Sequence, residues 1–504
     1  MSEHPIQDGL KHTVDDAKNI AHTLDKDASQ FERSIGLISN FSLGFTYLSP
    51  LTAVYSLFAL AITLAGPPSI WWILIAAGGQ LLVAIVFGET ASQYPITGGL
   101  YPWARRLWGR KYAWMAAWVY LWALVVTVTS IAEYSAGFVA NLFHYDASPL
   151  NTLITSVVLL LGVMGINMSG TKNLARVARL GFWCEILSVV ALGIYLLIFH
   201  RAQPFSVVFD SMGAIASNGS YTTAFLASSL LGLFMFFGFE ACGNVAEEVK
   251  NPSKQIPVAM ILSIVFGAIS AVVSVLGYLL ASPNLPDIVS GKITDPLPTI
   301  LQEALGPTGA QIFIAIAVVA MLSCILSLQA ALSRLLFAFA RDEMLPKSTW
   351  LSKLSKQGVP DHAMIVSCLL PLIFCVWVYF TPDNLARITA FAVVGIYVSF
   401  QMVVLAALRQ RLKGWKPAGE WSVGAWGTII NLAALAYGLF AIYLLVQPAD
   451  GTSIIDRWIV MIGLGIVVIS GLLYMFIAKP YGKSSAPEGD AIEHAKQMRQ
   501  NRTS

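Results

Sequence analysis

Charge is what this chain has least of. Of its 504 residues only 31 are Lys or Arg and 28 are Asp or Glu, 12% in all. That is about half the share usual in a soluble globular chain. The shortage excludes a soluble enzyme and a disordered protein. Cysteine is scarce as well, and five residues cannot staple a secreted scaffold of this length. All five (Cys184, Cys242, Cys324, Cys368 and Cys375) fall in apolar runs and read as small core residues. The seven histidines show no paired metal spacing. Gly98-Gly99 follows no strand and lacks the Lys-Ser/Thr ending of a phosphate loop. A net charge of +3 is too small to point to nucleic acid. No metal, no cofactor and no nucleic-acid partner is expected.

What the chain has in excess is apolar length. Hydrophobic residues make up 56%, and each membrane span needs roughly 20 of them. Uncharged runs predict twelve spans, near residues 36–64, 71–94, 113–141, 150–168, 177–198, 223–248, 257–281, 309–340, 362–380, 388–407, 427–446 and 458–478. The first 35 residues are polar, have no apolar run and read as a tail rather than a signal peptide. Residues 479–504 read as a second polar tail, mobile in solution. If the N-terminus is cytoplasmic, all but four basic residues (Arg201, Lys292, Arg387 and Arg457) lie on the cytoplasmic side, as retention of positive charge demands. Both termini are then inside, and the protein is a multi-pass one of the plasma membrane, or of the inner membrane if bacterial. Most of the 14 tryptophans read as interfacial anchors, with Trp71 and Trp72 at an outer end and Trp103, Trp108 and Trp114 at an inner one.

Two spans contain what a transmembrane helix avoids. The first places Gly44, Thr46, Ser49 and Pro50 near its middle, and the sixth places Gly238, Glu240 and Gly243 there. Pro50 lacks an N–H, and glycine lowers the cost of unwinding. Unpaired backbone in hydrocarbon persists only where it lines a cavity. A simple kink explains one such site. Two, five spans apart and opposite in direction, mark an inverted repeat whose broken helices form a mid-membrane site.

At these residues the chain resembles the amino acid–polyamine–organocation transporter superfamily. The similar stretches are Gly88-Glu89-Thr90 through Thr97-Gly98-Gly99-Leu100-Tyr101, then Gly238-Phe239-Glu240-Ala241 with Ala246-Glu247-Glu248-Val249-Lys250-Asn251-Pro252, then Ser333-Arg334-Leu335 with Ala340-Arg341-Asp342. The similarity runs from about residue 35 to 480, and Thr-Gly-Gly-Leu-Tyr looks most like the amino acid/choline branch. The resemblance implies an all-α integral membrane protein with a LeuT-type five-plus-five inverted repeat and broken helices 1 and 6. Residues 36–198 would form the first repeat, 223–407 the second, and 427–478 the two added helices. Where α-amino-acid members usually carry Gly-Ser-Gly in helix 1, this chain reads Leu43-Gly44-Phe45. The substrate need not be an ordinary α-amino acid.

The buried carboxylates each call for a reason, since one at the bilayer centre costs at least ~2.5 kcal/mol. Glu89, Glu247 and Glu248 read as gate or structural partners of Arg334, Arg341 and other basic residues near the inner surface. Glu240 sits at the second break, where support of unwound backbone and contact with substrate are both open. Glu133, toward the outer half of helix 3, reads as either lining the vestibule or touching the substrate. Glu185 falls where many superfamily members place a helix 5 lysine. It could take a proton, attract Na⁺, face a substrate cation, or simply bond to helix 1. The expected substrate-binding set is Gly44, Phe45, Thr46, Tyr47, Ser49, Glu133, Phe237, Gly238, Phe239 and Glu240, with Glu185, Ser323 and Ser327 as the ion-coupling set. The expected function is a secondary transporter for a small amine or amino-acid-like solute (GABA, choline, a polyamine or an amino acid) coupled to H⁺ or Na⁺. An exchanger and a non-transporting sensor are the alternatives; an enzyme is not, because no reactive cluster converges.

Overall fold

The computed structural model describes residues 33, 35–215, 219–447 and 454–503. Almost all of the expected N-terminal tail, and Ser217 in the fifth connection, lie outside those residues. Among the described residues the chain is helical throughout, with one isolated backbone bridge between Ile35 and Val249. Eleven helical segments among the described residues are long and apolar enough to cross a membrane.

The first span is two helices, α1 (Leu37–Leu48) and α2 (Pro50–Ala65). There follow α3 (Trp71–Gln93), the short α4 (Leu100–Leu107), α5 (Arg110–Phe143) and α6 (Pro149–Met168). Helices α7 (Thr171–Ile186) and α8 (Leu192–Phe199) are joined by a π-helical turn at Leu187–Ala191. The expected sixth span is not one helix. It is divided into α9 (Tyr221–Ala227), α10 (Leu230–Met235) and the single turn α11 (Ala241–Asn244). The chain continues through α12 (Pro252–Ala281), α13 (Leu285–Val289), α14 (Pro296–Arg341), α15 (Ser348–Leu351), α16 (Asp361–Phe380), α17 (Leu385–Leu412), α18 (Gly427–Leu445), α19 (Ile454–Ala478) and α20 (Ala491–Thr503).

Punctuation in the sequence sets these boundaries. Proline opens α2, α6, α12 and α14 at the first turn, where its missing N–H costs nothing. Ser148 caps α6 by accepting from Asn151 N at 3.3 Å. The 46-residue α14 bends at Gly306, whose φ of 70° no helix interior adopts. Helix α5 is the central post, packed by α14, α17, α6 and α16, whereas α19 is peripheral, with 6% of its apolar window buried. Across the bundle, α3 packs on α12, α5 on α17 and α7 on α14. Trp72, Trp103 and Trp114 are buried in the bundle rather than anchoring its rim. Trp103 Nε1 donates to Tyr94 O and Trp114 Nε1 to Met344 O, each at 3.0 Å, so packing satisfies indoles that position alone assigns to the interface.

Residues 479–503 are not a loose tail. They form a strap across the end of the bundle that carries most of the basic residues. Gly489 N donates to Arg105 O at 3.0 Å, Gln93 Nε2 to Ala491 O at 3.0 Å, and Arg106 pairs with Asp490. The His494 ring stacks on Tyr94 at 4.9 Å. Polar composition says only that such a segment cannot fold alone; here the bundle supplies its partners. Burial, and after it the Arg106 guanidinium, hold the His494 imidazole below its ordinary 6.5, with Asp490 opposing. The released strap therefore binds a proton more readily than the docked one, so docking is fully supported above that ordinary value and weakens as the pH falls through it. A fluorophore at Asn501→Cys is expected to lose anisotropy on acidification, and His494→Gln to remove that pH dependence.

Candidate functional site

The break in the first span is a single residue. Residues Phe45 to Leu48 stay helical, and only Ser49 leaves, with φ 43° and ψ 81°. Pro50 starts α2 instead of unravelling α1, so the break that Gly44, Thr46, Ser49 and Pro50 mark in the sequence narrows to Ser49. Ser49 Oγ accepts from Thr52 N at 3.2 Å and lies 2.7 Å from Thr52 Oγ1. The next N–H, that of Leu51, donates to Glu185 Oε1 at 3.2 Å. Glu185, on α7, is thus seated on the positive end of α2, where dipole and N–H both favour a carboxylate. Its second oxygen has no partner among the described residues.

The second break is wider. Helix α10 ends at Met235, Gly238 takes φ 112°, and helix resumes at Ala241. Glu240 folds back over this turn. Its Oε2 accepts from Gly238 N at 2.8 Å, and its Oε1 from Tyr120 Oη of α5 at 2.7 Å. Tyr120 Oη in turn lies 3.4 Å from Tyr47 Oη. Glu240 therefore holds the unwound backbone directly, and Tyr120 ties it to the first break.

The two breaks touch rather than flank an open chamber. A Cβ on Gly238 would lie 2.3 Å from Tyr47 Cδ1 and 2.7 Å from Leu48 N. Beside them, between α1, α11 and α14, is a cavity of about 20 Å³ bounded by Leu43, Ala241, Ser327 and Arg334. That is room for about one water molecule.

The other expected residues are placed as follows. Gly44 faces α11 and α12, where a Cβ would come within 2.5 Å of Cys242 Sγ. Phe45 turns to α7 and packs on Phe182 at 5.3 Å, so its ring is not at the second break. Thr46 Oγ1 donates to Ser42 O at 2.9 Å and lies 3.3 Å from Ser327 Oγ. Phe237 packs on Phe234 at 5.3 Å, and Phe239 on Phe87 and Phe400 at 5.8 and 5.5 Å. Ser323 lies against α7 at Gly181, one turn before Glu185. Cys324 of α14 also reaches the end of α1, its Sγ donating to Tyr47 O at 3.5 Å. Glu133 is not with this group. It lies among α5, α6 and α16, with Ser156 and Cys375 against its carboxyl, and about 20 Å along α5 from Tyr120.

Ion pairs close the basic end. Glu248 accepts from Arg334 Nε and Nη2 at 3.3 and 3.2 Å, both side chains nearly buried. Glu247 Oε1 lies 3.7 Å from Arg341 Nη1 and accepts from Thr97 N at 3.0 Å. Glu89 pairs with Arg411 and accepts from Val423 N at 3.1 Å. Arg105 pairs with Asp342. Two backbone bonds join the start of α1 to the chain beyond α11, Ile35 N to Glu248 O at 2.9 Å and Lys250 N to Ile35 O at 2.8 Å. Tyr120, Phe400 and Cys324 carry no motif that sequence reading could single out, and Asp342, though inside a stretch similar to the superfamily's, shows no partner in the sequence; only a buried hydroxyl on a central helix hints at Tyr120.

Broken apolar helices, carboxyls at both breaks and an ion-paired closure at one end define a multi-span membrane transporter rather than an enzyme. Residues 35–471 match the amino acid permease family, and the chain belongs to it. It is 24% identical to the amino-acid permease BAT1 homolog of Oryza sativa, over 81% of this chain and 83% of that protein. It is 24% identical to the GABA-specific permease of Saccharomyces cerevisiae, over 90% and 83%. To the aromatic amino acid transport protein AroP of Escherichia coli it is 25% identical, over 81% and 89%.

Proposed function

We propose that this permease moves a small amine or amino-acid-like solute (GABA, choline, a polyamine or an amino acid) by alternating access at the two breaks, coupled to H⁺ or Na⁺. One observation carries the reading. Each break holds a buried carboxyl, Glu185 at one and Glu240 at the other, and among the described residues neither pairs with Lys or Arg. The α2 N-terminus that a solute carboxylate would seek is already occupied by Glu185. The uncompensated charge therefore favours a cationic group on the ligand or a coupling cation. The names of the yeast and bacterial relatives fit the same solute range. The packing of α5 on α17, mirrored by α7 on α14, supports a five-plus-five repeat. Basic residues at the closed end support a cytoplasmic position for that end and for both termini.

The two carboxyls have separable roles. Glu185, with one oxygen unsatisfied beside α14, is the coupling residue; Glu240 shapes the solute side. Glu185→Gln is expected to keep solute binding, read by thermal shift, while uptake into proteoliposomes loses its dependence on pH or sodium. Glu240→Gln is expected to weaken binding itself. Unaltered ion dependence in Glu185→Gln overturns the coupling role. Binding without uptake by the unmodified protein would make it a sensor, and uptake only against internal solute an exchanger. For orientation, Ser217→Cys should react with an impermeant thiol reagent added outside; reaction from the cytoplasmic side alone overturns the proposed arrangement.

A further inference from the structure

A second site lies away from the breaks, where the strap crosses the foot of α5 and the end of α19. It is a groove of about 560 Å³, within the size range of small-molecule pockets. Its floor is apolar, made by Met115, Leu472 and Met475. Its level is fixed by chain position: α5 begins at Arg110 and α19 ends at Ala478, so the groove sits where apolar helix gives way to polar chain. That is the depth of lipid headgroups. Little of helix α19 is buried along its apolar length, so the floor continues onto a surface that faces acyl chains.

The rim is cationic. Lys111 is exposed, stands 4.6 Å over the Tyr481 ring, and has no carboxylate partner among the described residues. Arg409 lies 4.5 Å over Trp108, which also lines the groove. Lys479 and Lys483 flank Tyr481 in the strap. The carboxylate lining the groove, Glu488, is engaged by Arg110, whose backbone N donates at 2.6 Å and whose Nε lies 3.5 Å away. An unneutralised ammonium above an apolar trough that opens toward hydrocarbon matches one class of ligand.

We propose that this groove binds a single phospholipid with an anionic headgroup, its phosphate against Lys111 and an acyl chain over Met115, Leu472 and Met475. Free phosphate would leave the floor unused, and a zwitterionic lipid would gain little from the rim. The inference depends on neither the transported solute nor the coupling ion. It is tested on delipidated full-length protein by native mass spectrometry with dioleoyl phosphatidylglycerol, dioleoyl phosphatidylcholine and inorganic phosphate as separate probes. One phosphatidylglycerol should be retained in preference to phosphatidylcholine, and phosphate should not displace it. Lys111→Gln should weaken its retention about fivefold, the effect of one basic residue near an anionic surface. Leu472→Trp, which fills the floor, should remove it, while Lys292→Gln, a surface cation elsewhere paired with Asp287, should change nothing. Equal retention of phosphatidylcholine, displacement by phosphate, or unchanged phosphatidylglycerol binding in both Lys111→Gln and Leu472→Trp overturns the proposal.

Discussion

Gly238→Ala is expected to abolish solute uptake and to lower the thermal midpoint sharply. At φ 112° this residue occupies backbone space that an L side chain enters only under strain, at about 1–3 kcal/mol. The added methyl also has nowhere to go. It would meet Tyr47 Cδ1 at 2.3 Å and the backbone N of Leu48 at 2.7 Å. The ring can yield a little, but the α1 backbone cannot, and overpacking adds ~1–3 kcal/mol more. Relief would push the two breaks apart and pull Gly238 N away from Glu240, unseating the Tyr120–Tyr47 link with it. Gly78→Ala and Gly137→Ala, where a methyl meets nothing within 4 Å, are the matched controls and should cost less than about 0.5 kcal/mol. Uptake at the unmodified rate in Gly238→Ala would show that the close contact of the breaks is dispensable.

The second large effect belongs to the Arg334–Glu248 pair. Both side chains are almost fully buried, at 7% and 5% exposure. Removing one partner leaves the other charge inside the bundle unpaired, at a cost of about 3–5 kcal/mol. Arg334→Ala and Glu248→Ala should each depress the thermal midpoint strongly. The paired apolar replacement, Arg334→Met with Glu248→Leu, should recover most of that loss. It removes a charged clamp between α14 and the segment after α11, so a thiol placed at Val245 in that background should label faster than in the unmodified protein. A double variant as unstable as either single one would mean that the pair contributes more than mutual neutralisation.

The sequence makes the spans legible because hydrocarbon admits few alternatives to long apolar helices. It also marks both breaks, through Pro50 and Gly238. It does not reveal how far each break extends. Proline after a turn residue is as good a helix start as a helix end, and the chain uses Pro50 as a start. The division of 223–248 into α9, α10 and α11 is hidden for a related reason. Hydrophobicity does not separate a helix from unwound chain, and here Glu240 supplies the acceptor that lets the backbone leave the helix. Glu133 illustrates the limit for side chains. Thirteen residues at about 100° each carry it roughly 140° around α5 from Tyr120. A carboxylate on the correct helix thus faces the wrong neighbours. The strap was illegible because its partners, Arg105, Arg106, Gln93 and Tyr94, lie hundreds of residues away in the chain.

The Ile35–Val249 bridge has a consequence for how this protein can vary. The joint between the start of α1 and the chain after α11 is made of two amide-to-carbonyl bonds, from Ile35 to Glu248 and from Lys250 to Ile35. Those bonds leave the identity of the side chains unspecified. Lys250 is exposed and can drift through most of the amino-acid alphabet with the joint intact, and Ile35, which is buried in the core, through the apolar residues. Proline is the exception at either position, because it deletes the amide that the joint is made from.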